Sequence, residues 1–589
     1  MKLNKILMSG ALATLLFSCN SLDLPPRNII QEESVFTSEA GITAYMARIY
    51  SEMPVEDHRF CIDGFAGFKN YPTTYNYTGE CMLPVQDFIW GNPDGGLFQA
   101  WRYGEVRNIN FFLESLEKHK DAFNEEDVNH WMGEAYFMRA YTYFAMVKRY
   151  GGVPIIKDVQ NFPEQSIEEL KVPRNKEQEV YDFIAEDLDK AIAMLPEKEL
   201  AQGRVNKYVA YALKSRAMLY AGSIAQFGTA QLDGLVGIPS GEAKKYYQAS
   251  YDASKALEGK YSLYLKNAAN KAENYANLFL DSDSPENIYC KYYKFPEYCH
   301  SYDALGIPFQ MRGANGYGGR QNPTLEFLQM FDGADGSHDW LKMGTDENPT
   351  RFTHRVDIFA NAEPRLRGSV IFPGDVFKGE VIDVQKGIFE SYPNGTKHES
   401  ADFGAMYKDK AIQGRSGMGN TETTSTGFHV RKYLDPNRPQ GDVLLWRETQ
   451  HFVDFRYAET LLNRAEAAFA LGMKDDALAC INQIRDRAGA KLYTATQINL
   501  KNIQKERRME LAFENHTWWD LRRWRLADTE ISNTRYHALA PYYVYDEGKY
   551  IYLVQGVGPQ YTFDVKVNYC QIPGDQISKN ELLVQNPGY

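Results

Sequence analysis

Cysteine is scarce in this chain, seven in 589 residues, and no two form a CxxC pair. Setting aside Cys19, treated below, leaves Cys61, Cys81, Cys290, Cys299, Cys480 and Cys570. The even number permits disulfides in an oxidising compartment, but the scattered spacing defines neither a disulfide framework nor a zinc site. Cys480 falls at an apolar helix position and reads as a small buried hydrophobe. The 11 histidines show no metal-ligand spacing. HExxH, GxSxG, the P-loop and GxGxxG are all missing, which removes the motif-bearing hydrolases, NTPases and dinucleotide enzymes. Glycosidase carboxylates lie far apart in sequence and leave no local motif, so that class stays open at this stage. Excess positive charge is missing too. The formal net charge of −12 argues against nucleic acid and against attraction to anionic lipid.

Adjacent acids do occur, at Glu32-Glu33, Glu125-Glu126, Glu168-Glu169 and Asp475-Asp476. Each stands where a helix is expected to begin, and carboxylates favour the positive end of the helix dipole. Asp332, Asp335 and Asp339 cluster in a glycine-containing loop without the ligand spacing of an EF-hand. No metal and no cofactor is expected.

Long apolar runs are confined to the N-terminus. Ile6 to Phe17 is nearly unbroken, preceded by Lys2 and Lys5. It is shorter than the ~20 residues needed to span a bilayer but has the length of a signal h-region. Leu15-Leu16-Phe17-Ser18-Cys19 follows and resembles the bacterial lipobox. That resemblance implies a signal peptide over 1–18 and a lipid, palmitate among its chains, on Cys19. Several chains make such an anchor stable where one would be reversible.

Aromatic residues are abundant: 14% of the chain, with 40 tyrosines. Helical periodicity marks Trp101 to Leu116, Trp131 to Arg149, Glu179 to Leu195, Lys207 to Tyr220 and Ala243 to Leu257. Toward the C-terminus it marks Phe455 to Leu471, Lys474 to Ala488 and Asn502 to Trp518. Small and large residues alternate on the buried faces, as in Ala135, Met138, Tyr141 and Phe144, or Ala458, Leu462, Ala465 and Phe469. The stretch Leu461 to Leu478 resembles a tetratricopeptide helix pair. Between about 260 and 440, Gly, Pro, Asn and Tyr dominate, with short strand-like runs such as Ile288 to Tyr293. The expected fold is mostly α: tetratricopeptide-like helix pairs form a scaffold under an irregular, loop-rich layer containing short strands.

The chain carries, in order, Leu22-Asp23-Leu24-Pro25-Pro26, Glu33 to Phe36 and Ile49-Tyr50, then Trp101 to Asn110. Glu134 to Ala140 leads into Tyr150-Gly151-Gly152-Val153-Pro154. Arg456 to Glu466, Ile484 to Gly489, Glu506 to Glu514 and Ile572 to Tyr589 complete the set. Together these segments resemble the SusD-like (RagB/SusD) family of outer-membrane nutrient-binding lipoproteins. The resemblance divides the chain into 1–18, 19–260 (N-terminal helical region), 261–440 (loop-rich, ligand-facing) and 441–589 (C-terminal helical region and extended tail). It implies a non-catalytic lipoprotein of the outer membrane, facing the cell exterior. Such a protein binds a nutrient glycan and delivers it to a SusC-like TonB-dependent transporter. Alternatives are an oligopeptide-binding importer component or a tetratricopeptide-like surface scaffold. The charged motif residues Glu506, Arg507, Arg508, Glu510, Arg485 and Asp486 read as a polar network fixing helices. Ile572 to Tyr589 is expected to be extended.

A sugar presents apolar C–H faces edged by hydroxyls, met by flat aromatic rings and planar polar groups. Two regions offer that mixture outside any helical pattern. One holds Tyr71, Tyr75, Tyr77, Asp87, Trp90, Asn92 and Asp94. The other holds Tyr293, Tyr298, Tyr317, Arg320 and Asn322, around a loop with Gly313, Gly316, Gly318 and Gly319. One aromatic from each region is expected to face a shared depression.

Overall fold

The computed structural model describes residues 32–59, 73–84, 99–314, 317–419 and 422–589. Cys19, Cys61, Tyr71, Asp87, Trp90, Asn92 and Asp94 lie outside the described residues.

The frame is a succession of helices: α1 (Glu39–Glu52), α2 (Tyr103–His119), α3 (Glu125–Tyr150), α4 (Glu177–Met194), α5 (Lys207–Phe227), α6 (Ala243–Lys255), α7 (Tyr457–Ala470) and α8 (Lys474–Ala488). From α2 onward each packs on the next, and α6 meets α7 directly although about two hundred residues separate them in the chain. The loop-rich stretch is therefore an insertion between neighbouring helices. Local chemistry sets the boundaries. Asn124 and Asn206 cap α3 and α5 through their side-chain oxygens, and Gly489 ends α8 in the left-handed conformation. The acid pairs at 32–33, 125–126, 168–169 and 475–476 all stand in first helical turns.

Small residues let the helices close up. Gly222 on α5 lies under the Tyr247 ring of α6, where a Cβ would come within 2.9 Å. Gly151 caps α3 with φ 72°, and any side chain at Gly152 would collide with the Asn175 carbonyl oxygen, which accounts for the Gly151-Gly152 pair.

One hydrophobic core runs from Phe36 to Leu583 through both helical ends of the chain. The insertion carries two others. One gathers Phe327, Phe331, Trp340, Phe359, Phe372 and Phe428 with Leu539 and Tyr552; the second gathers Ile371, Ile382, Val384 and Phe389 with Ala540, Tyr542, Val544 and Ile551. Both borrow residues from a C-terminal hairpin. The strands of three or more residues among the described residues are, in chain order, β1 (Asn287–Lys291), β2 (Gly387–Phe389), β3 (Lys397–Glu399), β4 (Phe452–Arg456), β5 (His537–Val544) and β6 (Lys549–Gly556). β1 pairs antiparallel with β4, while β6, β5, β2 and β3 form a four-stranded sheet in which only the β5–β2 pairing is parallel.

Three expectations need correction. The continuous helix over Asn502 to Trp518 is two helices, α9 (Leu500–Glu510) and α10 (Thr517–Arg523). Between them Phe513 and Asn515 adopt φ of 62° and 64°, incompatible with helix, and the turn delivers Glu514 into a buried charge cluster. The range 441–589 contains the β5–β6 hairpin as well as helices. The C-terminal tail is extended except for Gly574–Lys579, a short helix begun after Pro573. The rest of the tail is tied down by Asn586, which donates to the Tyr150 and Cys570 carbonyls, and by Arg174, which donates to the Val584 carbonyl.

The insertion is held to the scaffold by charge. Arg456 at the end of β4 donates to Glu286 (2.8 Å), Glu510 (2.7 Å) and Glu514 (2.6 Å). Arg487 reaches Glu286 and Glu510; Arg365 reaches Glu363, Glu506 and Glu510; Arg485 reaches Glu506; Lys432 reaches Glu514. All are buried. Burial alone would raise the Glu510 carboxyl, but Arg487, Arg456 and Arg365 hold it far below the usual range. Of the charged motif residues, Arg507, Arg508 and Asp486 lie outside this cluster: Arg507 is buried against Asp520 and Asn463, Arg508 pairs with Glu530, and Asp486 is exposed beside Lys271.

Candidate functional site

Strand β1 runs into Tyr292-Tyr293 and a tight turn. Lys294 and Tyr298 exchange backbone hydrogen bonds of 2.8 Å each, so Phe295 sits at the tip, 53% exposed. The turn brings the Tyr293 and Tyr298 rings into a parallel stack, centroids 5.5 Å apart and planes 6° from parallel. A second loop, ahead of β4, is zipped to the first by paired backbone bonds between His300 and Glu448. It carries Trp446, 38% exposed, whose backbone N–H donates to Ser301 Oγ at 2.8 Å. Trp446 has φ 59°, a conformation that costs an L-residue about 1–2 kcal/mol. Such strain gathers at binding sites more often than in plain packing. Arg59, which follows α1, lies 4.2 Å over the Tyr298 ring and 5.8 Å from Trp446. Arg447 stands 5.6 Å from Phe295. Tyr298 also lines a hollow of about 390 Å³, with Tyr50, Gln202, Arg204, Lys291 and Tyr292 among its walls.

What holds this shelf is a layer of packed rings and a carboxyl pair. His58 packs on His300 (4.5 Å), Tyr302 (4.6 Å) and Tyr433 (4.7 Å). Burial keeps His300 and His451 neutral, each lowered to about 4. Asp303 and Glu448 form a buried carboxyl pair against Arg438. Burial, then the neighbouring Glu448, push Asp303 up to about 8; Glu448 is lowered, because the Asp303 hydrogen bond and Arg438 outweigh its burial. One proton shared between two carboxyls thus supports the loop that presents Trp446.

The other sequence-selected residues divide. Tyr75 is 2% exposed, packed edge-on against Phe513, and Tyr77 is packed against Trp518. Asn322 is fully buried: its amide donates to the Gly319 carbonyl and its oxygen accepts from the Ser425 N–H. All three are buried, and Tyr75 lines a small cavity with His58, Tyr302 and Phe513. Tyr317 and Arg320 stack on each other (5.3 Å), Arg320 paired with Glu422 at 3.0 Å. Their glycine neighbours serve close packing rather than an open loop: a Cβ on Gly319 would come within 2.9 Å of the Glu422 carbonyl oxygen. Tyr293 and Tyr298 come together, with Trp446, Phe295, Arg59 and Arg447, which sequence reasoning missed. Trp446 stands outside any helical period after a Gly- and Pro-containing stretch, the one signal available. Its left-handed backbone was not readable.

Among the described residues no group of three His, Cys, Asp or Glu side chains is placed to hold a metal. The three loop aspartates go separate ways: Asp332 to His338 and Lys505, Asp335 to Ser337 and Asn361, Asp339 to Lys342. Cys81, Cys290, Cys299, Cys480 and Cys570 are buried free thiols.

The helix-pair frame thus presents rings and guanidinium groups at a loop surface. The SusD family model matches residues 264–589, and a second model, described as starch-binding and associating with the outer membrane, matches 82–219. The chain is 22% identical to a SusD-like protein of Formosa agariphila over the whole of both chains. A SusD-like protein of Bacteroides fragilis superposes with a TM-score of 0.69 at 25% identity, over 95% of this chain and 98% of that one. A SusD-like carbohydrate-binding protein of the same species gives 0.67 at 18%, over 94% and 100%. The chain belongs to the SusD family, whose members bind without catalysing. Membership supports a glycan-binding role at the outer membrane.

Proposed function

We propose that this protein captures a nutrient glycan on the Tyr293–Tyr298–Trp446 shelf and passes it to a SusC-like TonB-dependent transporter in the outer membrane. The observation that carries this reading is Trp446, a large ring held half out of the protein on a left-handed backbone, next to a parallel tyrosine stack under Arg59. Flat rings meet the C–H faces of a sugar, and guanidinium groups bond its hydroxyls. The carbohydrate-binding relative and the starch-binding family model point to the same ligand class. Tyr71, Trp90, Asn92 and Asp94 are proposed as further ligand contacts, with Tyr317 and Arg320 at the rim. The signal over 1–18 directs export, a lipid on Cys19 tethers the body, and the helix pairs on either side of 261–440 act as a tetratricopeptide-like scaffold. The test is titration of the purified protein against a glycan panel, repeated with Tyr298→Ala. A ten- to hundredfold weaker affinity at an unchanged melt is expected, equal to about 1–3 kcal/mol by analogy with base stacking. Undiminished affinity would remove the shelf from the account.

A further inference from the structure

The outer face of the β5–β6 hairpin alternates as a sheet should. Ala540, Tyr542, Val544 and Ile551 point into one core, while Leu539 and Tyr552 point into the other, on the opposite face. That second face is covered as far as Tyr552 and then opens. Tyr550 and Tyr543, cross-strand partners one step further along, are only half-buried, with ring centroids 5.2 Å apart. Tyr545, two residues beyond Tyr543 on the same face, continues the row to Tyr407 at 5.3 Å. A polar hollow of about 360 Å³ opens beside Tyr543 and Tyr550. Its walls include Arg355, Asp383, Gln385, Lys410 and Gln413.

The polar walls are organised unevenly. Arg355 donates to Asp383 at 2.5 Å and lies 5.3 Å over the Tyr550 ring. Gln385 is spent on the Ala411 and Ile412 carbonyls. Gln413 is different. It is 2% exposed, yet its amide nitrogen and its amide oxygen both lack a partner among the described residues. Buried amides are almost always bonded, and an orphan asks for a cause. The hydroxyls of Tyr543 and Tyr550 are likewise bonded by no described residue, and Lys410 lies 3.7 Å from Asp409 and 5.9 Å over the Tyr543 ring. Rings on one wall, with an unspent amide, two free phenols and an ammonium around them, match a sugar ring's apolar face and hydroxyl edge.

We propose that this hollow is a second carbohydrate subsite, separate from the Trp446 shelf, that takes one pyranose ring of a glycan chain. Tyr543 and Tyr550 underlie the ring, Gln413 accepts and donates to its hydroxyls, and Lys410 and Arg355 border it. The inference rests on the glycan-binding reading above. Two contact points give a polymer higher avidity than either alone, because the second engagement is intramolecular.

Gel retention of the purified full-length lipoprotein in mild detergent, on starch, laminarin, xylan, polygalacturonate and chondroitin sulfate, tests it. On whichever polysaccharide retains the parent, Tyr543→Ala/Tyr550→Ala should weaken retention about tenfold or more. Gln413→Leu should weaken it too while melting at or above the parent temperature, since an unpartnered buried amide is replaced by an apolar side chain. A merely structural Gln413 would lower the melt and leave retention alone. Retention of the parent with both variants held equally well overturns the subsite and leaves the shelf standing. No retention of the parent on any of the five overturns the glycan reading and this inference with it.

Discussion

The seam beneath the loop layer and the shelf on top of it use similar residues to opposite ends. In the seam, Arg456, Arg487, Arg365, Arg485 and Lys432 face Glu286, Glu363, Glu506, Glu510 and Glu514, all buried, and nearly every donor is answered by a carboxylate or carbonyl within the protein. On the shelf, Arg59 and Arg447 lie against rings at the edge of solvent. Buried ion clusters are poor sources of net stability, but removing one member leaves the others uncompensated, so they fix geometry sharply. Exposed rings cost little to change. The difference teaches where this fold is rigid and where its specificity can vary: the seam locks the insertion to α8 and α9, and the loops above it are free to present different side chains.

The sharpest way to break that contrast is at its centre. Arg456→Ala takes one guanidinium from Glu286, Glu510 and Glu514 at once, and should cost about 3–5 kcal/mol in denaturant unfolding. A small change would mean that the seam is not what holds the insertion. Asn322→Ala, at a site first read as ligand-facing, should cost about 1–3 kcal/mol through the unpaired Gly319 carbonyl and Ser425 N–H. Tyr317→Ala, half-buried at the rim, should shift the melt less.

A pH series sharpens the picture under the shelf. The Asp303 carboxyl titrates near about 4 when unfolded and is raised to about 8 in the fold, so the native state holds the extra proton between those values. Its stabilising contribution is complete below about 4 and is lost as pH rises through about 8. Glu80, Glu177 and Glu363, each pushed up to about 7 by burial, act in the same direction. Asp303→Asn keeps a donor toward Glu448 but cannot titrate. Its melting temperature should therefore fall less between pH 5 and 8.5 than the parent's, and parallel curves would contradict the shared proton. Cys19→Ala should leave all of these melts unchanged and move the protein from the membrane to the soluble fraction. A variant that stayed with membranes through carbonate washing would rule out the anchor.

The helical frame was largely legible in the sequence because periodicity, caps and glycine stops are local. Lys474 to Ala488 was read to the residue, and α3 was short by one turn and a half at its N-terminus, where Asn124 rather than Trp131 begins it. The break at Phe513 and Asn515 was not legible, since it is driven by the distant Arg456 and Lys432 drawing in Glu514. The β5–β6 hairpin was missed because its partner strand β2 lies some 150 residues earlier in the chain. At the site, Tyr293 and Tyr298 could be picked by type and setting. Tyr75, Tyr77 and Asn322 carried the same signal and lie buried, because residue type does not say which way a side chain faces.

The central claim is that Trp446 is held out for a ligand while the seam merely carries it. Trp446→Gly tests that most directly by calorimetric titration with the best-bound glycan, alongside a melt. Glycine relieves the left-handed strain of about 1–2 kcal/mol, which offsets the packing lost with the ring. The account predicts a melting temperature within a few degrees of the parent and an affinity reduced about ten- to a hundredfold. A large fall in melting temperature with affinity unchanged would make Trp446 a structural residue and contradict it.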